Sequence, residues 1–147
     1  MDAFYQIRRV ELTIHNFPNL PPIKDTYLYI SDKEYCKWPP LFVYTTAFIC
    51  WLVNSKNLDR FVIQLICSLV PVIYGILTVY LTYLISTHLF NKKVGLLSSL
   101  ILSIMPSHLE RSHFGHFDHH ISNLFFLLFY LYILISSNGK INFFPLK

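Results

Sequence analysis

Phe61-Val-Ile-Gln-Leu-Ile-Cys-Ser-Leu-Val-Pro-Val-Ile-Tyr-Gly-Ile-Leu-Thr-Val-Tyr-Leu-Thr-Tyr-Leu-Ile-Ser-Thr-His-Leu-Phe90 runs for thirty residues without one Asp, Glu, Lys or Arg. A helix of that length reaches about 45 Å, more than the roughly 30 Å of bilayer hydrocarbon, so the stretch reads as a membrane span with room to tilt. Pro71 and Gly75 within it are tolerable kink points for a helix in lipid. Downstream, Asn91-Lys92-Lys93 makes a tight basic turn, and Val94 to Leu109 reads as a second span of marginal length. Ser98 and Ser99 offer that span small-residue packing. Ile121 to Ser137 reads as a third, followed by a polar tail with Lys140 and Lys147.

Composition agrees. Apolar residues make up 54% of the chain and charged ones only 14%, a balance that suits a membrane protein better than a soluble domain. The net charge of +4 comes without a basic stripe or cluster, which excludes nucleic acid as a partner. Cys36, Cys50 and Cys67 form neither a close pair nor a zinc spacing, and the latter two lie in apolar runs as packing residues.

Upstream of the long span, residues 2–19 read as a helix with a loose apolar stripe at Phe4, Ile7, Val10, Leu12 and Ile14, ended by Pro18. No apolar run precedes Arg8 and Arg9, so this is not a signal peptide. Asp2 sits where a carboxylate caps a helix and favours its dipole. A proline-punctuated loop follows to Trp38-Pro-Pro40. An apolar helix at 41–53, too short to span, then lies in the interface with Trp38, Tyr44 and Trp51 suited to that depth. The expectation is an all-α membrane protein. Residues 1–60 form a first external loop with a short helix and the interfacial helix, and residues 61–147 a transmembrane region spanning at about 61–90, 94–109 and 121–137.

Charge sets the orientation. With three spans, the Lys92/Lys93 turn and the tail share one face, and both carry lysine without acid, so the positive-inside rule makes that face cytoplasmic. The N-terminal region and the loop 110–120 then share the external face, which brings Asp2 and Asp118 to the same side. Had 41–53 spanned as well, the two acids would be separated.

That loop, Arg111-Ser-His-Phe-Gly-His-Phe-Asp-His-His120, holds four of the seven histidines and the acid Asp118 between two apolar runs. Ionisable residues beside membrane spans are costly unless used. One reading is an inert interfacial loop. A second is a di-iron site, since His108-x4-His113 and His116-x2-His119-His120 imitate the histidine boxes of desaturases and hydroxylases. Those boxes are separated by membrane helices and face the cytoplasm, however, and here both overlap in one external loop. The third is an oxygen-plus-imidazole metal site: Asp118 and His120 are two apart, so in an extended segment they share a face. Such a pair suits Mn²⁺, Mg²⁺ or Zn²⁺ better than calcium.

Four ordered blocks carry a resemblance to a known family: Asp2-Ala-Phe-Tyr-Gln-Ile-Arg-Arg-Val-Glu11, Asn16-Phe-Pro18, Trp38-Pro-Pro-Leu-Phe42, and Leu109-Glu-Arg-Ser-His-Phe-Gly-His-Phe-Asp-His-His120. Together they resemble the catalytic subunit of oligosaccharyltransferase, of the archaeal and bacterial single-subunit type. The resemblance implies part of a GT-C type multi-pass bundle in the cell membrane with its active-site loops on the external face. It implies transfer of an oligosaccharide from a lipid-linked phosphate or pyrophosphate donor to asparagine in Asn-x-Ser/Thr of an acceptor polypeptide. Asp2, Asp118 and His120 would hold a divalent cation, Mg²⁺ or Mn²⁺ with Zn²⁺ as the alternative. Asp2, Asp118 and Arg111 would be the catalytic set. His119 is expected to be outside the ligand set or solvent-facing, His113 and His116 are left unassigned, and His15 and His88 are structural. Gln6 stands where many relatives have histidine, and no Trp-Trp pair occurs, the only tryptophans being Trp38 and Trp51. The expectation is therefore an N-terminal portion of such an enzyme, inactive alone. The competing expectation is a small non-enzymatic membrane protein without metal.

Overall fold

In the computed structural model, residues 2–16, 18–19, 40–54 and 59–137 are described, without the side chains of Asp2, Pro40 and Asn54. All regular elements among them are helices: α1 (Asp2–Asn16), α2 (Pro40–Asn54), α3 (Arg60–Leu89), α4 (Lys92–Ile104), α5 (Pro106–Ser112) and α6 (His120–Ser137). The proline-rich loop with Cys36 and Trp38 and the lysine tail lie outside the described residues. Among the described residues two helices, α3 and α6, are long and apolar enough to cross a bilayer, and α2 is a shorter apolar helix.

The chain divides into two compact units, Met1–Val70 with Phe114–Asp118, and Pro71–His113 with His119–Lys147. In the first, α1 packs against α2. The buried stripe of α1 is Gln6, Arg9, Val10, Thr13 and Ile14, a sound 3–4 spacing. Of the apolar stripe expected, Val10 and Ile14 are buried, but Phe4 is 82% exposed and three polar side chains, Gln6, Arg9 and Thr13, complete the buried face. Thr13 settles its hydroxyl internally by donating to the Arg9 carbonyl at 2.6 Å. The facing stripe of α2 is Phe42, Val43, Thr46, Ala47 and Cys50, and from the first turns of α3 come Ile63, Cys67 and Val70. Burial pushes the Cys50 thiol up to about 11, which keeps it protonated and unreactive, as a packing residue should be. Glu11 pairs with Arg60 at 3.2 Å across the exposed end of this unit.

The loop 114–118 closes the first unit. Phe117 is fully buried with its ring 4.6 Å from that of Phe42, and the Gly115 N–H donates to the Ser68 carbonyl at 3.2 Å. Gly115 has φ +86°, a conformation that glycine adopts without the penalty a Cβ would bring.

In the second unit the chain doubles back along α3. Asn91 caps α4 by accepting the Val94 N–H at 2.9 Å, so the turn needs only Phe90 and Asn91. Small residues set the contact. A Cβ on Gly95 would stand 3.1 Å from the Tyr83 carbonyl and against Thr87 Oγ1, and one on Gly75 would stand 2.5 Å from Ser112 Cβ. Gly75 therefore marks a close approach of α3 and α5. Gly95 meets α3 at the turn. Gly75 lies fourteen residues before Leu89, about 21 Å along the axis, so α4 and α5 together retrace that much of α3.

The expected single helix over 94–109 is two. Helix α4 ends at Ile104, Met105 is extended at φ −66°, ψ 123°, and Pro106 opens α5. Proline lacks the N–H that would continue the ladder and forces the preceding residue out of helical geometry, then serves well at the first helical position. Alone, α4 has 13 residues and reaches only about 20 Å. Helix α6 begins at His120, its first turn tied to His119, whose carbonyl accepts the Asn123 N–H at 3.0 Å and the Ser122 hydroxyl at 2.7 Å. The rings of Phe125 and Phe126 meet Tyr74 at 5.2 and 6.1 Å.

Candidate metal and anion site

Each expected site residue has a definite place. Asp2 is the first residue of α1. Arg111 lies exposed in the last turn of α5, Asp118 is half-buried in the last stretch of loop, and His120 is the exposed first residue of α6. The loop expected over 110–120 is shorter than that. Glu110, Arg111 and Ser112 are helical, and only residues 113–119 connect α5 to α6.

Asp118, His119 and His120 each offer one ligand atom, and these atoms lie within 4.8 Å of one another. The three are consecutive, so this is a local property of one tripeptide. Ligands bonded to one ion at about 2.0–2.2 Å are at most about 4.4 Å apart, so small side-chain rotations complete the set. A hard carboxylate oxygen with two imidazoles fits Mn²⁺ or Zn²⁺ well and Mg²⁺ through the oxygen. The residues present therefore fit a divalent cation.

His119 was expected either outside the ligand set or facing solvent, and the second does not hold. It is only 7% exposed, so it does not face solvent, and its ring stacks on that of His120 at 4.4 Å. The available signal was its position between Asp118 and the first residue of a helix, where its own carbonyl is committed to the helix. His116 Nε2 lies 3.9 Å from Asp118 Oδ2, close enough for charge interaction but too long for a hydrogen bond. His113 Nδ1 donates to the Glu110 carbonyl at 2.7 Å, which caps the end of α5. His15 and His88 are exposed near the ends of α1 and α3.

The histidine-box reading loses its first member. His108 is buried on α5 with Nε2 2.8 Å from Thr78 Oγ1 of α3, and among the described residues the metal-competent group is Asp118, His119 and His120 alone. Within the second unit, Arg111 and His120 line one hollow of about 140 Å³, with Leu102, Met105 and Leu124 on its apolar side. A guanidinium beside an imidazole over an apolar wall can hold a phosphate that carries a hydrocarbon chain.

Comparison with known proteins bears on this arrangement. The family model described as oligosaccharyl transferase STT3, N-terminal, matches residues 1–146. Dolichyl-phosphooligosaccharide-protein glycotransferase 2 of Archaeoglobus fulgidus is 31% identical over 134 residues, covering 90% of this chain and 21% of its own. The dolichyl-monophosphooligosaccharide–protein glycotransferase AglB of Haloferax volcanii is 31% identical over 132 residues, 87% of this chain and 12% of its own. The crystal structure of the Archaeoglobus fulgidus oligosaccharyltransferase in complex with Zn and sulfate superposes with a TM-score of 0.82 at 27% identity, over 96% of this chain and 18% of that one. The chain thus spans roughly an eighth to a fifth of the length of the relatives it matches.

Proposed function

Because the chain belongs to the oligosaccharyltransferase STT3 family, we propose that it supplies the first acidic and metal-binding elements of a protein N-glycosylating enzyme. The reaction moves an oligosaccharide from a lipid-linked phosphate or pyrophosphate donor to the amide of asparagine in Asn-x-Ser/Thr. The observation that carries this reading is the grouping of Asp118, His119 and His120 at the start of α6.

In this reading Asp118 and His120 hold a divalent cation, Mg²⁺, Mn²⁺ or Zn²⁺, with Asp2 as the ligand from α1 and His119 as a further candidate. The cation supplies positive charge that neutralises the phosphate leaving group. Arg111 pairs with the same phosphate through its planar fork. The carboxylates of Asp118 and Asp2 accept hydrogen bonds from the acceptor amide. That orients a poor nucleophile toward the anomeric carbon without charging it.

The membrane arrangement belongs to the same reading. Helices α3 and α6 cross the bilayer, and α4 with α5 carries the chain back between them despite the break at Met105. The exposed Lys92 and Lys93 mark the cytoplasmic face, and residues 1–60 and the Asp118 loop the external one. Helix α2 lies in the interface.

The test is a segment exchange. This chain replaces the matching segment of the Archaeoglobus fulgidus enzyme, and membranes are assayed for glycosylation of an Asn-x-Thr peptide. Asp118→Ala and Asp2→Ala are expected to abolish product. Full activity in either variant of an active chimera would remove that residue from the site.

A further inference from the structure

Helix α5 has seven residues, no side-chain hydrogen bond at its N-cap, and carries Arg111. A helix this short does not hold itself together in isolation, so its orientation is set by what it packs on. On its buried side two contacts with α3 do this. Gly75 lets Ser112 approach until a Cβ would collide at 2.5 Å, and Thr78 meets His108 at 2.8 Å. The first sets how close α5 lies. The second sets how it is rotated, because a hydrogen bond is directional and both partners are buried, Thr78 completely.

The proton positions follow from the partners. The two Thr78 hydroxyl contacts, 2.7 Å to the Gly75 carbonyl and 2.8 Å to His108 Nε2, are hydrogen bonds together only when Thr78 donates to the carbonyl and the neutral ring carries its proton on Nε2. In that arrangement Nδ1 is a buried acceptor with no hydrogen-bond partner among the described residues. The one hydrogen bond of the ring among the described residues is therefore the directed one to Thr78. At 100° per residue, Arg111 projects about 60° from His108 around α5, and Ser112 about 40° to the other side. Fixing His108 and Ser112 on α3 thus fixes the flank of α5 from which Arg111 lines the hollow with His120, a hollow whose wall includes His108 itself.

We infer that His108 is a positioning residue for Arg111, latched by Thr78, and that the latch aims the guanidinium into the hollow it shares with His120. The use of that guanidinium on a phosphate rests on the function proposed above, but its aim does not, so the two are tested apart.

The experiment is NMR of the whole chain, ¹⁵N-labelled at histidine and arginine and reconstituted in lipid nanodiscs. In the unsubstituted chain, His108 should show the Nε2–H tautomer, and Arg111 a distinct Nε–H resonance shifted from that of free arginine. Thr78→Val keeps the shape and removes the hydroxyl. It should abolish the His108 tautomer preference and move the Arg111 resonance away from its position in the unsubstituted chain, with helicity unchanged. Thr78→Ser should restore both signals, as should His108→Gln for Arg111, its amide still able to donate to Thr78. If Thr78→Val proves unfolded, the serine and glutamine variants still decide. A free-arginine Arg111 signal in either of them, or a His108 Nδ1–H tautomer in the parent chain, overturns the inference. So does an unmoved Arg111 signal in a folded Thr78→Val chain. Loss of glycosylation in a chimera bearing Arg111→Lys, with the NMR signature of the latch intact, would speak to the catalytic reading alone.

Discussion

Replacing Gly75 by alanine should separate a packing role from a helix-breaking one by the sign of the effect. In an unconstrained helix the change is favourable by roughly 0.5–1 kcal/mol, because alanine loses less backbone entropy. Here the new Cβ would stand 2.5 Å from Ser112 Cβ, against a normal carbon–carbon separation of about 3.5–4.0 Å. To relieve it, α5 must retreat by about 1 Å, which stretches the 2.8 Å Thr78–His108 bond past the limit of a useful hydrogen bond. Overpacking costs about 1–3 kcal/mol, and a buried hydrogen bond lost with its partners left in place a further 1–3 kcal/mol. After subtracting the propensity gain, the expected net loss is about 1–5 kcal/mol. The assay is reversible unfolding in detergent, with Gly75→Ala, Ser112→Gly and the double variant forming a cycle. Removing the Ser112 Cβ should recover most of the loss. A stabilised Gly75→Ala chain, or a cycle with no coupling, would refute the close approach and leave Gly75 a mere kink point.

Three further outcomes are expected. His119→Ala should weaken Zn²⁺ or Mn²⁺ binding by about tenfold or more in calorimetry, as should Asp118→Ala; an unchanged isotherm for His119→Ala would return the ligand set to Asp2, Asp118 and His120. Phe117→Ala should cost about 3–5 kcal/mol by emptying the space against Phe42, and Gly115→Ala about 1–2 kcal/mol from its φ of +86° alone, both read by unfolding. With its thiol pushed up to about 11, Cys50 should resist alkylation by iodoacetamide at pH 8 in the native chain and react on unfolding.

Long-period features were legible without coordinates. The charge-free run 61–90 reappears as α3 over Arg60–Leu89, the run 121–137 as α6, and the short apolar helix 41–53 as α2 within a residue at each end. Hydrophobicity sustained over many turns leaves few other structures open to the chain. The break at Met105 was legible too, since Pro106 carries it locally, but a run of apolar residues masked it. The stripe on α1 was not. Gln6 and Arg9 are buried and Phe4 is exposed because the neighbouring helix, absent from any periodicity argument, decides which face is inside.

Asp118 and His120 could be singled out from residue types two apart, and Arg111 and Asp2 from the resemblance. That His119 turns inward, that His108 is spent on Thr78, and that Arg111 and His120 open on one hollow depended on contacts between residues far apart in the chain or on where a helix starts. By itself the amino-acid sequence determined the family, the helical class and the apolar spans, because those rest on local composition and ordered motifs. Only the tertiary structure decided which side chains share a site. That choice turns on close approaches such as Gly75 against Ser112, where the lack of a single Cβ is what allows two helices to meet.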